Sequence, residues 1–400
     1  MEAANTNSAV GDAPAGSGAD TINFAANLDN ETITLDRAFL GAITVSDSHD
    51  LTIDAGALSK LTIDADDPTP NRTGTGIRIF AITDPTGGAA PSLVELIGLT
   101  LTGADEQDEG GAIFSNARLV VRDSIIVGNE ADSGGGIFVE VAGGGPTARS
   151  VLTIDDSLIE GNSADAGAGI AVVSGTSSTP TSDAVRISNT TIKDNKASFG
   201  DGGGVYAQLF GAEMAIDDNT LLELNEAGDG GAVYARLSAG ATLAIEAATI
   251  EQNDAGIGAG VHATIAGGSA VAIDQTTFND NEATSNGGAV YATLSGTSSL
   301  DVTASSFVQN DAQSGGAAFV LVDSSSSVNF GQNTFDRNEA SIHGGGVFLT
   351  GQGQPASVSV VDSTFVQNDA GSSSGRGGGL YVDLPGVTLS QLNFEANTAA

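Results

Sequence analysis

Residues 276–294 read "TTFNDNEATSNGGAVYATL". Three features sit within them: Phe278 three residues before Asn281, the pair Gly287–Gly288, and a short alternating run that places Tyr291 between Val290 and Ala292. The set recurs. Asn129, Asn162, Asn195, Asn225, Asn253, Asn281, Asn310, Asn338, Asn368 and Asn397 form one column, each with Ala two residues later and Ile, Leu or Phe three residues earlier. A glycine-rich column runs in phase with it, from "GGAIF" at 110 through "GGGVY" at 202, "GGAVY" at 230 and 287, to "GGGLY" at 377. The Asn spacing is 28 to 33 residues, and in five consecutive units the first glycine precedes the next Asn by 23. Extra length falls in Gly/Ser/Pro stretches such as "AGGGPTARS" and "SGTSSTPTSD", as expected where loops absorb insertions and strands do not.

Alternation of apolar and polar residues argues for strands with one buried face, and no useful stretch carries a 3.6-residue period. Each unit therefore predicts three short strands and three bends. Units this small bury a face only by stacking on their neighbours. The expected fold is all-β: a right-handed parallel β-helix, or solenoid, of about ten regular coils, preceded by irregular ones. The hand follows from the preference of parallel crossovers. At the bends, Asn tolerates a left-handed backbone and can join an amide ladder. The glycines permit positive φ where the next strand begins. Asn225, Asn253, Asn281, Asn310, Asn338 and Asn368, with Gly230, Gly231, Gly287 and Gly288, are read as scaffold.

Residues 1–19 are small and polar, expected as a disordered segment or linker. Residues 20–109 lack the columns but keep strand-like runs ("DTINF", "ETITL", "LTIDAG"), read as a cap and first irregular coils. Residues 110–400 hold the regular repeats and stop in mid-unit at "NFEANTAA", which suggests part of a longer protein, expected to be monomeric.

Composition narrows the function. Fifty acids against 13 bases give a net charge of −37, the opposite of a nucleic-acid footprint. Such a charge suits high salt, a cationic partner or divalent cations. Cysteine is absent, so disulfides and thiol chemistry are excluded. No apolar run approaches the ~18 residues of a membrane-spanning helix. "MEAANTNSAV" lacks a signal-peptide pattern.

Two columns are candidates for function. The aromatic after each glycine-rich run gives Phe114, Phe138, Tyr206, Tyr234, Tyr291, Phe319, Phe348 and Tyr381, with Ala171 and His262 filling the other places. Alternation puts it on the outward face with Gln208, Arg236, Thr264 and Asp383. It reads either as a platform for sugar rings or a flat partner, with Tyr206, Tyr234, Tyr291, Phe319, Phe348 and Tyr381 as the candidates, or as cross-strand stacking that steadies the sheet. The residue after each Asn gives Glu226, Asp254, Glu282, Asp311, Glu339 and Asp369, one per coil at ~4.8 Å spacing. This is a solvated acidic edge or, as the sharper reading, a run of calcium sites, although no D-x-D-x-D-G loop accompanies it. No other cofactor is implied. Enzymatic chemistry has little support: the nearest bases, Arg186, Lys193 and Lys196, cluster around one coil, and His49, His262 and His343 are far apart in sequence.

"FxxN" at 278–281, 307–310, 335–338, 365–368 and 394–397, paired with "GG[AG][IVL]", resembles the repeats of the chlamydial-type polymorphic outer-membrane proteins and of the bacterial and archaeal β-helix surface proteins that share them. Earlier units depart from it, with Ile126, Ile159, Ile192, Leu222 or Ile250 in place of Phe. The resemblance implies a right-handed β-helix displayed outside the cell or at its surface, as an adhesin-like stalk or passenger contacting glycans or a surface receptor. The alternative is a carbohydrate-binding or polysaccharide-degrading β-helix.

Overall fold

A computed structural model describes residues 18–35, 41–46, 49–65, 76–85, 92–141, 151–174, 184–351, 357–371 and 375–399. Most of the expected N-terminal linker and the two Gly/Ser/Pro insertions (nearly all of 142–150 and 174–183) lie outside these residues. Among the described residues the chain is a parallel β-solenoid with a single short helical turn, Ala26–Leu28. Two sheets of 13 strands run its length, a third has 12 and a fourth has 9. Every pairing is parallel and joins equivalent positions of successive coils. The first three rungs of the second sheet belong to the irregular N-terminal coils, and the ten that follow carry the Asn repeat. Thirteen strands at ~4.8 Å give a rod of about 58 Å.

The interior follows the alternation read from the sequence. In Val290–Leu294, Val290, Ala292 and Leu294 face inward while Tyr291 and Thr293 face out. One continuous core runs from Leu35 to Phe365. Within it Phe278, Phe307, Phe335 and Phe365 are fully buried and stack at 4.7–4.9 Å, ring on ring. Ile126, Ile159, Ile192, Leu222 and Ile250 fill the same column in the earlier coils. The aromatic and aliphatic versions of the repeat thus build one continuous column.

The Asn column forms an uninterrupted hydrogen-bonded ladder. Asn281 is wholly buried; its Oδ1 accepts from the backbone N (3.2 Å) and Nδ2 (2.9 Å) of Asn253. Its Nδ2 donates to the Ile250 carbonyl and to Asn310 Oδ1, both at 2.9 Å. Side-chain links of this kind connect all ten residues from Asn129 to Asn397. The left-handed residue of this bend is not Asn, as the sequence reading held, but the one before it. Gln252, Asp280, Gln309, Arg337 and Gln367 have φ of 52–57°. Asn suits this column because its short side chain carries an amide with both a donor and an acceptor along the axis, and the strain falls on its exposed neighbour.

Two further departures follow from the stacking. Each regular coil from Ser163 onward contributes four strands, because the two to five residues after Asn pair as a fourth sheet. Five residues before each Asn lies a second buried polar column. Within it Thr276 N donates to Ser305 Oγ, Ser305 N to Asn333 Oδ1 and Asn333 N to Ser363 Oγ. Ala248 and Leu392 occupy two of its places. The Gly pair has two separate roles. Gly287 holds φ of 66°. Gly288 has an ordinary φ, but a Cβ there would strike the carbonyl oxygens of Gly316 and Asp311.

Candidate functional site

The aromatic column lies on the outer side of the third sheet, in register from strand to strand: Tyr206 pairs with Tyr234, Tyr234 with His262, His262 with Tyr291 and Tyr291 with Phe319. The rings are at most half-exposed, and Tyr234 and His262 are buried at 9% and 7%. They form one file. Tyr206 and Tyr234 stack at 5.4 Å, as do Tyr291 and Phe319, with His262 wedged at 4.8 Å from both of its tyrosine neighbours. Phe319, Phe348 and Tyr381 continue it at 5.0 and 4.9 Å. Where rings stack, each face is occupied by the next ring, so the file offers solvent mainly edges and hydroxyls. Contacts at these separations stabilise a sheet by roughly 0.5–1.5 kcal/mol per pair.

A column that the sequence reading did not single out packs against this file: the residue immediately before each Gly pair. Its members include Asp201, Asp229, His343 and Arg376, and the signal was their fixed phase. The Tyr234 hydroxyl reaches the Asp201 carboxylate, with Arg236 close by. Burial, reinforced by the Asp201 charge, pushes the Tyr234 phenol up to about 12. Burial also raises the carboxyls of Asp201 and Asp229, the latter further through the charge of Asp201. His262 sits with Nδ1 3.5 Å from Asp229 Oδ2. Burial holds the ring down at about 4, so it is neutral and the contact is not an ion pair at neutral pH. Arg376 Nη1 lies 3.4 Å from the Tyr381 hydroxyl.

Beyond the file, on the same sheet face, is an open groove. One cavity of about 390 Å³ is lined by residues that include Gln208, Phe210, Arg236, Ser238 and Thr264. A second, of about 280 Å³, is lined by Thr293, Ser295, Leu321 and Asp323 among others. Thr264 pairs directly with Thr293 and Thr293 with Leu321, so the two cavities occupy consecutive strands of one face. From Ala171 to Thr350, no outward residue of these strands is Asp or Glu, although fifty of the 400 residues are acidic. Arg236 is the one charged side chain among them.

The acidic column lies along the fourth sheet. Glu226, Asp254, Glu282, Asp311, Glu339 and Asp369 are successive partners in register. Lys196 caps it, its Nζ 2.6 Å from Glu226. Partial burial, then repulsion from Glu282 and Glu226, raises the Asp254 carboxyl, and the same causes, with Glu339 and Glu282 as neighbours, raise that of Asp311. Among the described residues no group of three or more potential ligands is arranged to hold a metal ion. The bases named from the sequence separate: Arg186 binds Asp217 and Asp218 on the first sheet, Lys193 binds Glu160 on the second, and Lys196 lies on the fourth. They converge on no shared site.

No helix among the described residues is long and apolar enough to cross a membrane. Residues 275–293, the stretch whose bend and strand set the repeat, match the family model of the Chlamydia polymorphic membrane protein repeat. Neither a curated protein nor a solved structure gives a significant match to the chain. With the Asn and glycine columns of that matched unit carried through ten coils, the chain is a parallel β-solenoid whose repeat is similar to that of the polymorphic membrane proteins.

Proposed function

We propose that the chain is a non-enzymatic, adhesin-like stalk, displayed at a cell surface or outside the cell, that meets its partner through the outer face of the third sheet. The observation that supports this reading is the charge pattern. A chain of net charge −37 leaves the outward strand positions of one long, grooved face free of carboxylates from Ala171 to Thr350, and those positions are bordered by an ordered file of aromatic edges. Neutral faces with aromatic and polar groups suit partner contacts, while the acid elsewhere opposes self-association. The repeat match to a membrane protein family supports the surface location.

The test is adhesion of beads coated with the purified chain to a panel of cell and mucin surfaces. Thr264→Glu together with Thr293→Glu should abolish adhesion, while Glu282→Gln together with Asp311→Asn, on the acidic edge, should leave it intact. Equal adhesion by both variants refutes the reading.

A further inference from the structure

We infer that the groove on the third sheet takes a neutral, linear polysaccharide lying parallel to the solenoid axis. This rests on the side-face reading above and names the ligand class.

The shape comes first. The two cavities extend over six consecutive strands, from Ser174 to Asp323, a length of about 24 Å at the usual strand spacing. A ligand that follows them must be elongated and must cross one strand per coil, over Gln208, Arg236, Thr264, Thr293 and Leu321 in turn. A repeating polymer satisfies this and a compact small molecule does not. A peptide strand has no sheet edge to extend here, because each of these strands is already paired on both sides.

The chemistry of the floor is neutral and amphipathic. Gln208, Thr264 and Thr293 present both donors and acceptors. Phe210 and Leu321 add apolar surface, with Leu321 40% exposed. Sugar rings need this mixture, with hydroxyls on their rims and C–H groups on their faces. An anionic polymer would meet the field of the whole chain, and Asp323 at the groove's border. The floor holds one cation, Arg236, which already lies beside Asp201. The aromatic file is then a wall. Its stacked faces are filled, so the sugar runs alongside the rings and meets edges and the Tyr206 hydroxyl, itself 3.3 Å from Gln208 Oε1.

The experiment is calorimetric titration of the purified chain with neutral oligosaccharide series (glucans, mannans and galactans) of increasing length, with oligouronates and sulfated oligosaccharides as charged controls. At least one neutral series should bind, with affinity that rises with length until the chain spans the groove and then levels. Thr293→Glu, and independently Gln208→Glu, should weaken it by about tenfold or more, the effect of one hydrogen bond left unmade; Glu282→Gln should not. Both face substitutions fall on half-exposed outward positions, and melting curves verify that the variants fold. Binding that ignores both, equal binding of the anionic controls, or no neutral binding overturns the inference. If no sugar binds while bead adhesion remains sensitive to the face variants, the docking face stands and its ligand is a protein or a second copy, which light scattering separates. If adhesion also ignores the face, both readings fall.

Discussion

Removing one amide from the middle of the Asn ladder tests what holds successive coils together. In Asn281→Ala, four side-chain hydrogen bonds disappear: two accepted from Asn253 and two donated, to Ile250 O and Asn310 Oδ1. Asn310 Oδ1 keeps the Asn281 backbone N–H at 3.1 Å. The Asn253 backbone N–H loses its acceptor in a site at 0–1% exposure, while Asn253 Nδ2 keeps the Leu222 and Glu251 carbonyls. One buried donor without a partner predicts a loss of roughly 1–3 kcal/mol. Asn397→Ala provides the internal control. Its Oδ1 also accepts from the N and Nδ2 of Asn368, but this rung is partly open and water can replace the lost acceptor, so the expected loss is below about 1 kcal/mol. Because each coil contacts only its neighbours, the central substitution should also broaden or split the transition. Urea unfolding followed by circular dichroism at fixed salt measures both. Equal effects of the two substitutions, or a central loss under about 1 kcal/mol, would refute the ladder as the element that couples the coils.

Other substitutions probe three separate features. Gly288→Ala forces a Cβ against two carbonyl oxygens and should prevent cooperative folding, while Gly240→Ala, at φ 79° with open space around it, should cost only about 1–2 kcal/mol; thermal melts compare them. His262→Phe should change the pH dependence. Its folded value near 4 lies below the ordinary 6.5, so the unfolded chain binds the extra proton and stability falls as pH drops through that window. The shift corresponds to about 3 kcal/mol at most, reduced by any attraction of the charged ring to Asp229. Asp201 and Asp229, both raised, act in the opposite sense as they protonate. The wild-type urea midpoint should therefore fall relative to that of the variant as pH drops from 6.5 to 4, and parallel curves would show an ordinary histidine. Along the acidic edge, Glu282→Gln with Asp311→Asn should flatten the gain in melting temperature with sodium chloride. A further rise with calcium at matched ionic strength would show metal binding there, and the reading of repulsion alone predicts none.

The columns legible in the sequence were those where one residue type repeats at every coil. Asn281, Gly287 and Phe278 announced the solenoid because stacking demands the same chemistry every 28 to 33 residues. The left-handed position before Asn went unread because it tolerates Gln, Asp, Arg, Leu and Ala alike: its backbone is imposed by the ladder and its side chain is free. The fourth sheet was invisible because strands such as Glu282–Ala283 are too short to show alternation. Alternation correctly placed Tyr291 outward but could not orient its ring. Ring orientation depends on His262 and Phe319, each a whole coil away. The groove was hidden for the same reason, since Thr264 and Thr293 become neighbours only after the coils stack.

The Asn ladder has a direction. Along the file each amide turns its oxygen toward the preceding coil, and wherever another Asn follows it turns its nitrogen toward that one. A coil such as residues 254–281 therefore offers the same donor above and the same acceptor below as the coil it would replace. Whole coils can be excised or duplicated with the seam restored by an identical amide contact. Length is then the property such a rod varies most easily: its cross-section stays fixed while the distance between its ends changes one coil at a time.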